Sequence, residues 1–372
     1  MDLKVKNIEL LNFRNYKNLQ LSDLESLVIF LGPNAIGKTN IIEAIQLLTA
    51  LDSFKKTPAS QLIFWDETLS QIGADITNNE RLLNIKMSIN DGKKTYFLNN
   101  KRKQKKELKS ILPAVVFSPD DLVLIKGSQS RRRNAIDDIG IQISANYRII
   151  KNDYDKIILH KNKLLKTGEN LPLLDSINET LLTVGSKLYC YRSSLFFRLR
   201  PFIKNNYIKI SEGKETLETS YTPSWEIYNE EIYQDFLYDI KEVSLLLFDA
   251  LNKNKQEEIR RKKSLIGPHA DKIDFYISGK NSGLYGSQGQ QRSLVLSFKL
   301  AEVEIIQEII KQKPVLLLDD VMSELDTSRR RALMSFIEDG IQTFITTTHI
   351  NYFSSDIINN AQILNLENIE KL

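Results

Sequence analysis

The run Gly32-Pro-Asn-Ala-Ile-Gly-Lys-Thr39 fits the spacing G-x-x-x-x-G-K-[ST]. In that spacing the glycines let successive backbone N–H groups turn inward around phosphate oxygens, so the chemistry it suits is binding a nucleoside triphosphate. Lys38 supplies a cation for the β- and γ-phosphates, and Thr39 a hydroxyl for Mg2+. Gly32, Pro33, Asn34, Ala35, Ile36, Gly37, Lys38, Thr39 and Asn40 are therefore the candidate nucleotide contacts. A magnesium ion held this way needs a carboxylate, expected at the end of another buried strand. Pro314-Val-Leu-Leu-Leu-Asp-Asp320 ends an apolar run in two of them. Asp319 is the candidate metal partner beside Thr39. Asp320 is the candidate to position a water for in-line attack, a capping or loop carboxylate being the alternative. His349 closes Thr346-Thr-Thr-His349 and could hydrogen-bond the γ-phosphate, although a lone histidine is more often structural. Lys38, Asp320 and His349 form the candidate catalytic set.

A second stretch, Tyr285-Gly-Ser-Gln-Gly-Gln-Gln-Arg-Ser293, stands just before an apolar run of helical spacing. Gly and Ser clusters between periodic segments are commonly plain loops. Small residues and free N–H groups at a helix start also suit an anion.

These groups act together only if the chain carries them to one place. The apolar run Leu27–Leu31 reads as a strand buried on both faces, ending at the glycine-rich loop. Ile42, Ala44, Ile45, Leu48 and Leu51 give residues 39–51 the spacing of a helix starting at that loop. Further strands are expected at 3–11, 83–89, 95–98 and 114–117, with Asn90-Asp-Gly92 as a tight turn. From about residue 130 to 263 the texture changes to amphipathic stretches, 144–165, 174–199 and 229–262, with a strand signal only near 207–210. That segment reads as a helical insertion whose helices are too short for a long coiled-coil arm. Strands at 272–277, 314–318 and 342–346 and a helix over 288–311 then complete a parallel sheet.

At 372 residues, 42% hydrophobic and 26% charged, the chain is long enough for a core and a second lobe. A single cysteine, Cys190, excludes an internal disulfide framework and a cysteine-based zinc site, and three histidines are too few for a His-rich metal centre. The N-terminal residues lack signal-peptide character, and no run approaches the ~18 apolar residues of a membrane span. A cytoplasmic protein is expected. Net charge is only +4, but basic residues bunch at 101–106, 131–133, 260–263 and 329–331. One such cluster is usually a solvated face; four together point to a polyanion.

The order of these parts resembles the ABC-type ATPase head shared by SMC proteins and their relatives, and within that group the RecF family. The resembling segments are LLNFRNY (10–16), GPNAIGKTN (32–40), VVFSPDDL (115–122), RRR-x-x-x-D (131–137), IGPHAD (266–271), GSQGQQRS (286–293), LLLDDVMSELD (316–326) and TTTH (346–349). The resemblance implies an α/β fold: an ABC-type P-loop ATPase head, formed by residues 1–130 and 264–372, with a mainly helical lobe, 131–263, inserted. Ser287, Gly289 and Gln290 look like the signature motif that reaches the γ-phosphate held by another subunit. Asp326 looks like part of the loop crossing such a dimer, and Arg14 lies in a stretch near the nucleotide in related heads. Asp320 stands where such ATPases usually carry Glu, which implies slow turnover.

For function, the resemblance implies ATP and Mg2+ as cofactors and a homodimer formed with ATP. It also implies binding of double-stranded DNA near single-strand gaps and junctions. Recombination mediators such as RecR and RecO, acting with the recombinase RecA, are the implied partners, with no membrane. Two departures stand out: Ala270-Asp-Lys272 replaces the usual Arg and two acids after Gly-Pro-His, and no Q-loop glutamine is evident in VVFSPDDL. The alternative is an ABC-type ATPase subunit with no nucleic-acid role.

Overall fold

The computed structural model describes residues 2–50, 55, 57–78, 80–108, 111–168, 172–225, 239–337 and 340–368. Chain contacts divide it into two units, residues 1–121 with 302–372, and residues 122–301.

The first unit opens with β1 (Lys4–Phe13), β2 (Tyr16–Leu21), β3 (Leu27–Leu31) and α1 (Lys38–Thr49). It continues through β4 (Leu69–Thr77), β5 (Leu82–Asn90), β6 (Lys93–Leu98), β7 (Lys101–Lys103), α2 (Lys105–Leu108) and β8 (Ala114–Phe117). The second unit holds α3 (Val123–Lys126), α4 (Gln129–Ile143), α5 (Ala145–Thr167), α6 (Leu173–Ile210), β9 (Leu217–Thr222) and α7 (Ile240–Arg261). It goes on to β10 (Lys272–Ile277), β11 (Lys280–Asn281), α8 (Ser282–Tyr285) and the start of α9 (Gln288–Ile310). The first unit is completed by β12 (Val315–Asp319), α10 (Thr327–Ile337), β13 (Thr343–Thr347), α11 (Ser355–Asn359) and β14 (Gln362–Asn365).

In the first unit a five-stranded parallel sheet of order β14-β3-β13-β12-β8 accompanies a six-stranded antiparallel sheet of order β2-β1-β4-β5-β6-β7. Every residue of β8, β12 and β13 is buried, as parallel strands covered on both faces require. One apolar core joins α1 (Ile41, Ile45, Leu48) to inward residues of both sheets, such as Ile8, Ile72 and Phe344. The parallel order matters for chemistry: β3, β13 and β12 are adjacent, so their carboxyl ends lie side by side, the usual ligand edge of an α/β sheet. Asp319 is level with Thr346, and Thr347 with Leu31.

Apart from the one near 207–210, the expected strands form, as do the 90–92 turn and the helices at the phosphate loop and after Ser287. Asp91 (φ 48) and Gly92 (φ 72) take the paired left-handed conformations of a two-residue hairpin turn. Three expectations need correction. Residues 207–210, read as a strand, are the last turn of α6, which the Tyr and Ile content of that stretch disguised. The strand lies later, at β9, and pairs antiparallel with β10 from Leu217↔Ile277 to Thr222↔Lys272. That long-range pairing moves the boundary of the insertion: residues 264–301 belong with the second unit, not with the ATPase lobe. Finally, α6 runs for 38 residues, longer than expected, although it packs on α5 and α7 within its unit. The expected helical stretch 229–262 is observed as α7 from Ile240 onward; residues 226–238 lie outside the described set.

Candidate functional site

The phosphate loop follows β3 without interruption and feeds α1 through Gly37, whose φ of 115° is a left-handed conformation. A Cβ added there would stand 2.5 Å from Asn15 Nδ2 and 2.7 Å from the Tyr16 hydroxyl, so both backbone and neighbours demand glycine. Ala35 (φ 66) also takes the left-handed region, which only glycine enters without strain. The turn between β1 and β2 buttresses the loop. Asn15 Nδ2 donates to Ile36 O (2.9 Å), and Asn40 Nδ2 donates to Asn15 Oδ1 (2.8 Å).

Lys38 is 6% exposed, and its Nζ donates to Gly32 O (2.7 Å) and Pro33 O (3.0 Å). Burial lowers its pKa, while Asp320 and Asp319 oppose that shift. Thr39 Oγ1 donates to Asp319 Oδ1 at 2.9 Å, and Thr346 Oγ1 reaches the same oxygen at 2.9 Å. Burial raises the Asp319 pKa against those two hydrogen bonds. Asp320 takes a left-handed turn (φ 54), and its N–H donates to Thr346 Oγ1 at 2.8 Å. Its Oδ1 is shielded from solvent and accepts no hydrogen bond among the described residues. A hollow of about 160 Å3 is lined by Asn34, Ala35, Gly37, Lys38, Thr39, Asn40 and Asp320.

The fit for a hard divalent ion rests on that donor set. A hydroxyl, a carboxylate hydrogen-bonded to it and an orphaned carboxylate oxygen are oxygen ligands of the kind Mg2+ takes, completed by phosphate and water. Thr39 and Asp319 would hold the ion. Among the described residues there is no group of three or more His, Cys, Asp or Glu that could hold a metal unaided.

Of the expected site residues in the first unit, Gly32, Pro33, Ile36, Asp319, Arg14, His349 and Asp326 are not in this lining; the first three belong to the loop itself and Asp319 meets Thr39. Arg14 forms a two-pronged pair with fully buried Glu43, Nε to Oε2 and NH2 to Oε1 at 2.9 Å, and donates to Thr57 Oγ1 and Gln61 O. Its guanidinium clamps the flank of α1. His349 is exposed beyond β13, its ring edge-on to Tyr352 with centroids 5.8 Å apart. Asp326 caps α10, its Oδ1 accepting from Arg329 N and Ser328 Oγ at 2.9 Å.

In the second unit, Ser287 and Gln290 cap α9 reciprocally: Ser287 N donates to Gln290 Oε1 (2.8 Å), and Gln290 N to Ser287 Oγ (3.2 Å). Gln290 Nε2 donates to Glu215 Oε1 (2.6 Å), so its side chain is occupied in holding the motif rather than exposed for a ligand. Ser287 is exposed, with Gly289 at the start of the helix beside it. Sequence reasoning missed Asn15, Glu43 and Thr346. Asn15 and Thr346 carried a signal, each lying in a motif already singled out; Glu43 carried none.

The second unit also has a buried ionic network. Arg192 grips Asp137 through Nε (2.8 Å) and NH2 (2.9 Å) and donates through NH1 to Pro268 O. Tyr147 adds a 2.6 Å hydrogen bond to Asp137; Tyr221 Oη and Ser224 N serve Asp271 at 2.6 and 2.8 Å. His269 Nδ1 meets Tyr154 Oη at 2.7 Å.

A phosphate loop at the carboxyl edge of this parallel sheet, with an inserted helical unit, is the ABC-type ATPase head fold. The model for the RecF/RecN/SMC N terminal domain matches residues 4–369. The DNA replication and repair protein RecF of Lactobacillus acidophilus is 37% identical over 369 residues, covering 96% of this chain and 95% of the relative. That of Bacillus cereus (strain G9842) is 34% identical over 371 residues, covering 98% and 97%. The recombination mediator protein RecF of the RecFOR pathway, solved as RecF-ATPrS, superposes with TM-score 0.85 at 31% identity, over 95% of this chain and 94% of that one. A Pyrococcus furiosus Smc head domain, at 17% identity and TM-score 0.55, shares the fold. The chain belongs to the RecF family.

Proposed function

We propose that this chain is an ATP-driven clamp of DNA replication and recombinational repair. In this reading ATP with Mg2+ binds at the phosphate loop and joins two copies on duplex DNA beside single-strand gaps. The observation that carries it is the convergence of Lys38, Thr39, Asp319 and Asp320, three of them lining one hollow and the fourth hydrogen-bonded to it. A solved relative described as RecF-ATP, 31% identical with TM-score 0.83, supports ATP as the nucleotide.

Bound Mg2+ would neutralise charge on the β- and γ-phosphates. The chain's own groups do the rest. Lys38 must exchange its two carbonyl partners for phosphate oxygens, which its Asp neighbours assist by keeping it protonated. Asp320, held by its N–H on Thr346, offers Oδ1 to orient the attacking water. His349 and Arg14 act outside this hollow in the present state, Arg14 as the brace of α1.

Exposed Ser287 and the N–H groups at the start of α9 are suited to grip the γ-phosphate held by a second copy. Asp326 stands on the loop that would cross such an interface. Cleavage then removes the interaction that distinguishes the joined from the separate state. Mediator proteins and a recombinase are the expected partners of that cycle. The test is sedimentation with and without ATP, in the presence and absence of gapped duplex DNA. ATP should double the mass and tighten DNA binding, and Ser287→Arg should still bind ATP yet stay monomeric. A normal ATP-dependent dimer of that variant would reject the shared site.

A further inference from the structure

The basic clusters differ in how far their charge is already used. On α4, Arg132 is buried on Asp274 and the carbonyls of Ile125 and Ile273, and Arg133 donates to Asp271 O. Arg260 and Arg261 share Glu257. Arg329 pairs with Asp326, and Arg330 lies 4.2 Å over the Tyr352 ring. On the antiparallel sheet, by contrast, Lys86 and Arg102 make no side-chain hydrogen bond or ion pair among the described residues.

Strand register sets these two around an aromatic ring. Lys86 faces Phe97 across β5 and β6, and Phe97 faces Arg102 across β6 and β7. Side chains alternate along a strand, and Tyr96 and Ile85 are buried inward, so Lys86, Phe97 and Arg102 form one row on the outer face. Next to Lys86 in the same row is Gly73, over which the Lys86 stem lies without a competing side chain. Around Phe97 a hollow of about 230 Å3 is lined also by Gln71, Ser88 and Asn100. The side chains of those three likewise make no hydrogen bond among the described residues. A half-buried ring, the uncommitted Lys86 and three uncommitted amides or hydroxyls thus line one hollow, and Arg102 stands level with the ring on the neighbouring strand.

We propose that this outer face of the antiparallel sheet binds single-stranded nucleic acid, one base stacking on Phe97 while Lys86 and Arg102 hold the flanking phosphates. The inference rests on the DNA-binding reading above and adds to it a place for the unpaired strand. The occupant follows from complementarity. An aromatic platform between cations is how proteins hold unpaired bases without sequence preference. Gln71, Ser88 and Asn100 have donors and acceptors for a Watson–Crick base edge, which duplex DNA keeps paired. Lys93, on the same face of β6 as Phe97 and also without an ion pair among the described residues, extends the positive row.

Fluorescence anisotropy of labelled oligothymidylate and of a blunt duplex, against wild-type protein, Phe97→Leu and Arg102→Glu, tests this. Phe97→Leu keeps the apolar bulk and removes the stacking face; Arg102→Glu changes only an exposed edge. Wild-type protein should bind both DNAs. Phe97→Leu should weaken single-strand binding on the order of tenfold and leave the duplex unchanged. Arg102→Glu should weaken it too and lower the magnitude of the log–log salt slope by about 0.7 for each phosphate the variant no longer neutralises. Unchanged single-strand affinity in both variants, or equal weakening for the duplex, overturns the inference. Wild-type protein that binds duplex but not single strands overturns it and leaves the DNA-binding reading standing; protein that binds neither rejects both.

Discussion

The phosphate-loop hollow and the network around Arg192 are both buried clusters of opposite charge, but they are built to opposite ends. Around Arg192 nearly every polar atom is consumed. Asp137 accepts two guanidinium bonds and a tyrosine hydroxyl, and Asp271 accepts a hydroxyl and a backbone N–H. At the hollow, Lys38 rests on two loop carbonyls, and an Asp320 oxygen has no partner among the described residues. A network satisfied internally stabilises the fold, whereas one left open keeps its groups available for a ligand. The contrast also gives the divergent Gly267-Pro-His-Ala-Asp271 loop a structural role. Its Pro268 carbonyl and Asp271 carboxylate close the network, and Gly267 (φ 132) leaves room for the Tyr154 hydroxyl.

If that contrast is right, mutation should separate stability from function. Arg192→Leu leaves buried Asp137 with only the Tyr147 hydroxyl and Lys151 at 3.9 Å, and should cost about 3–5 kcal/mol in denaturant unfolding, whereas Lys38→Met should cost no more than about 1 kcal/mol. Equal losses would erase the distinction. Next, Asp320→Asn should slow ATP hydrolysis by roughly 10²–10⁴-fold while leaving thermal stability and nucleotide affinity close to wild type, because it removes a base and no existing hydrogen bond of that oxygen. A variant destabilised but equally active would place Asp320 with the structural carboxylates.

A third contrast is in pH. Burial, with Lys161, Arg133 and Arg192 adding to it, pulls the His269 pKa from 6.5 down to about 4. The unfolded chain therefore takes up the proton first, so this contribution is full above about pH 6.5 and is lost as pH falls toward 4. Up to about 3 kcal/mol is at stake. Asp271, raised by burial, acts with the opposite sign, so the readout is the part of the stability slope between pH 7 and 5 that disappears in His269→Asn. No difference in slope would mean His269 titrates normally. The smallest effect concerns the capped motif: Gln290→Ala removes one of two reciprocal cap bonds and should cost about 1 kcal/mol. It should weaken ATP-dependent dimerisation only through the altered N-terminus of α9, and much less than Ser287→Arg.

Much of this was legible in the sequence because it is local. The phosphate loop, its strand and its helix lie within about two dozen residues, and the spacing specifies the geometry. Asp319 and Asp320 were legible from one apolar run. The partners that tune them were not: Thr346 reaches Asp319 only because β12 and β13 are adjacent in register, a pairing no local pattern encodes. Strand β4 was hidden because Gly73, Ala74 and Asp75 are weak strand formers, although Ile72, Ala74 and Ile76 do alternate with Gln71, Gly73 and Asp75. The boundary of the insertion was hidden for the same kind of reason, since β10 is held by β9, 50 residues or more upstream. Charge in a motif suggests a ligand contact at Arg14, but that charge is spent on Glu43, whose burial a helical pattern does not announce.

The account's central claim is that the hollow beside Lys38 holds ATP with Mg2+. Calorimetric titration of ATP, with and without Mg2+, into wild-type protein and Lys38→Met tests it directly. Saturable binding by wild-type protein that tightens with Mg2+ and is at least about tenfold weaker in the variant is the predicted result. Equal affinity in the two proteins, with or without Mg2+, would contradict it.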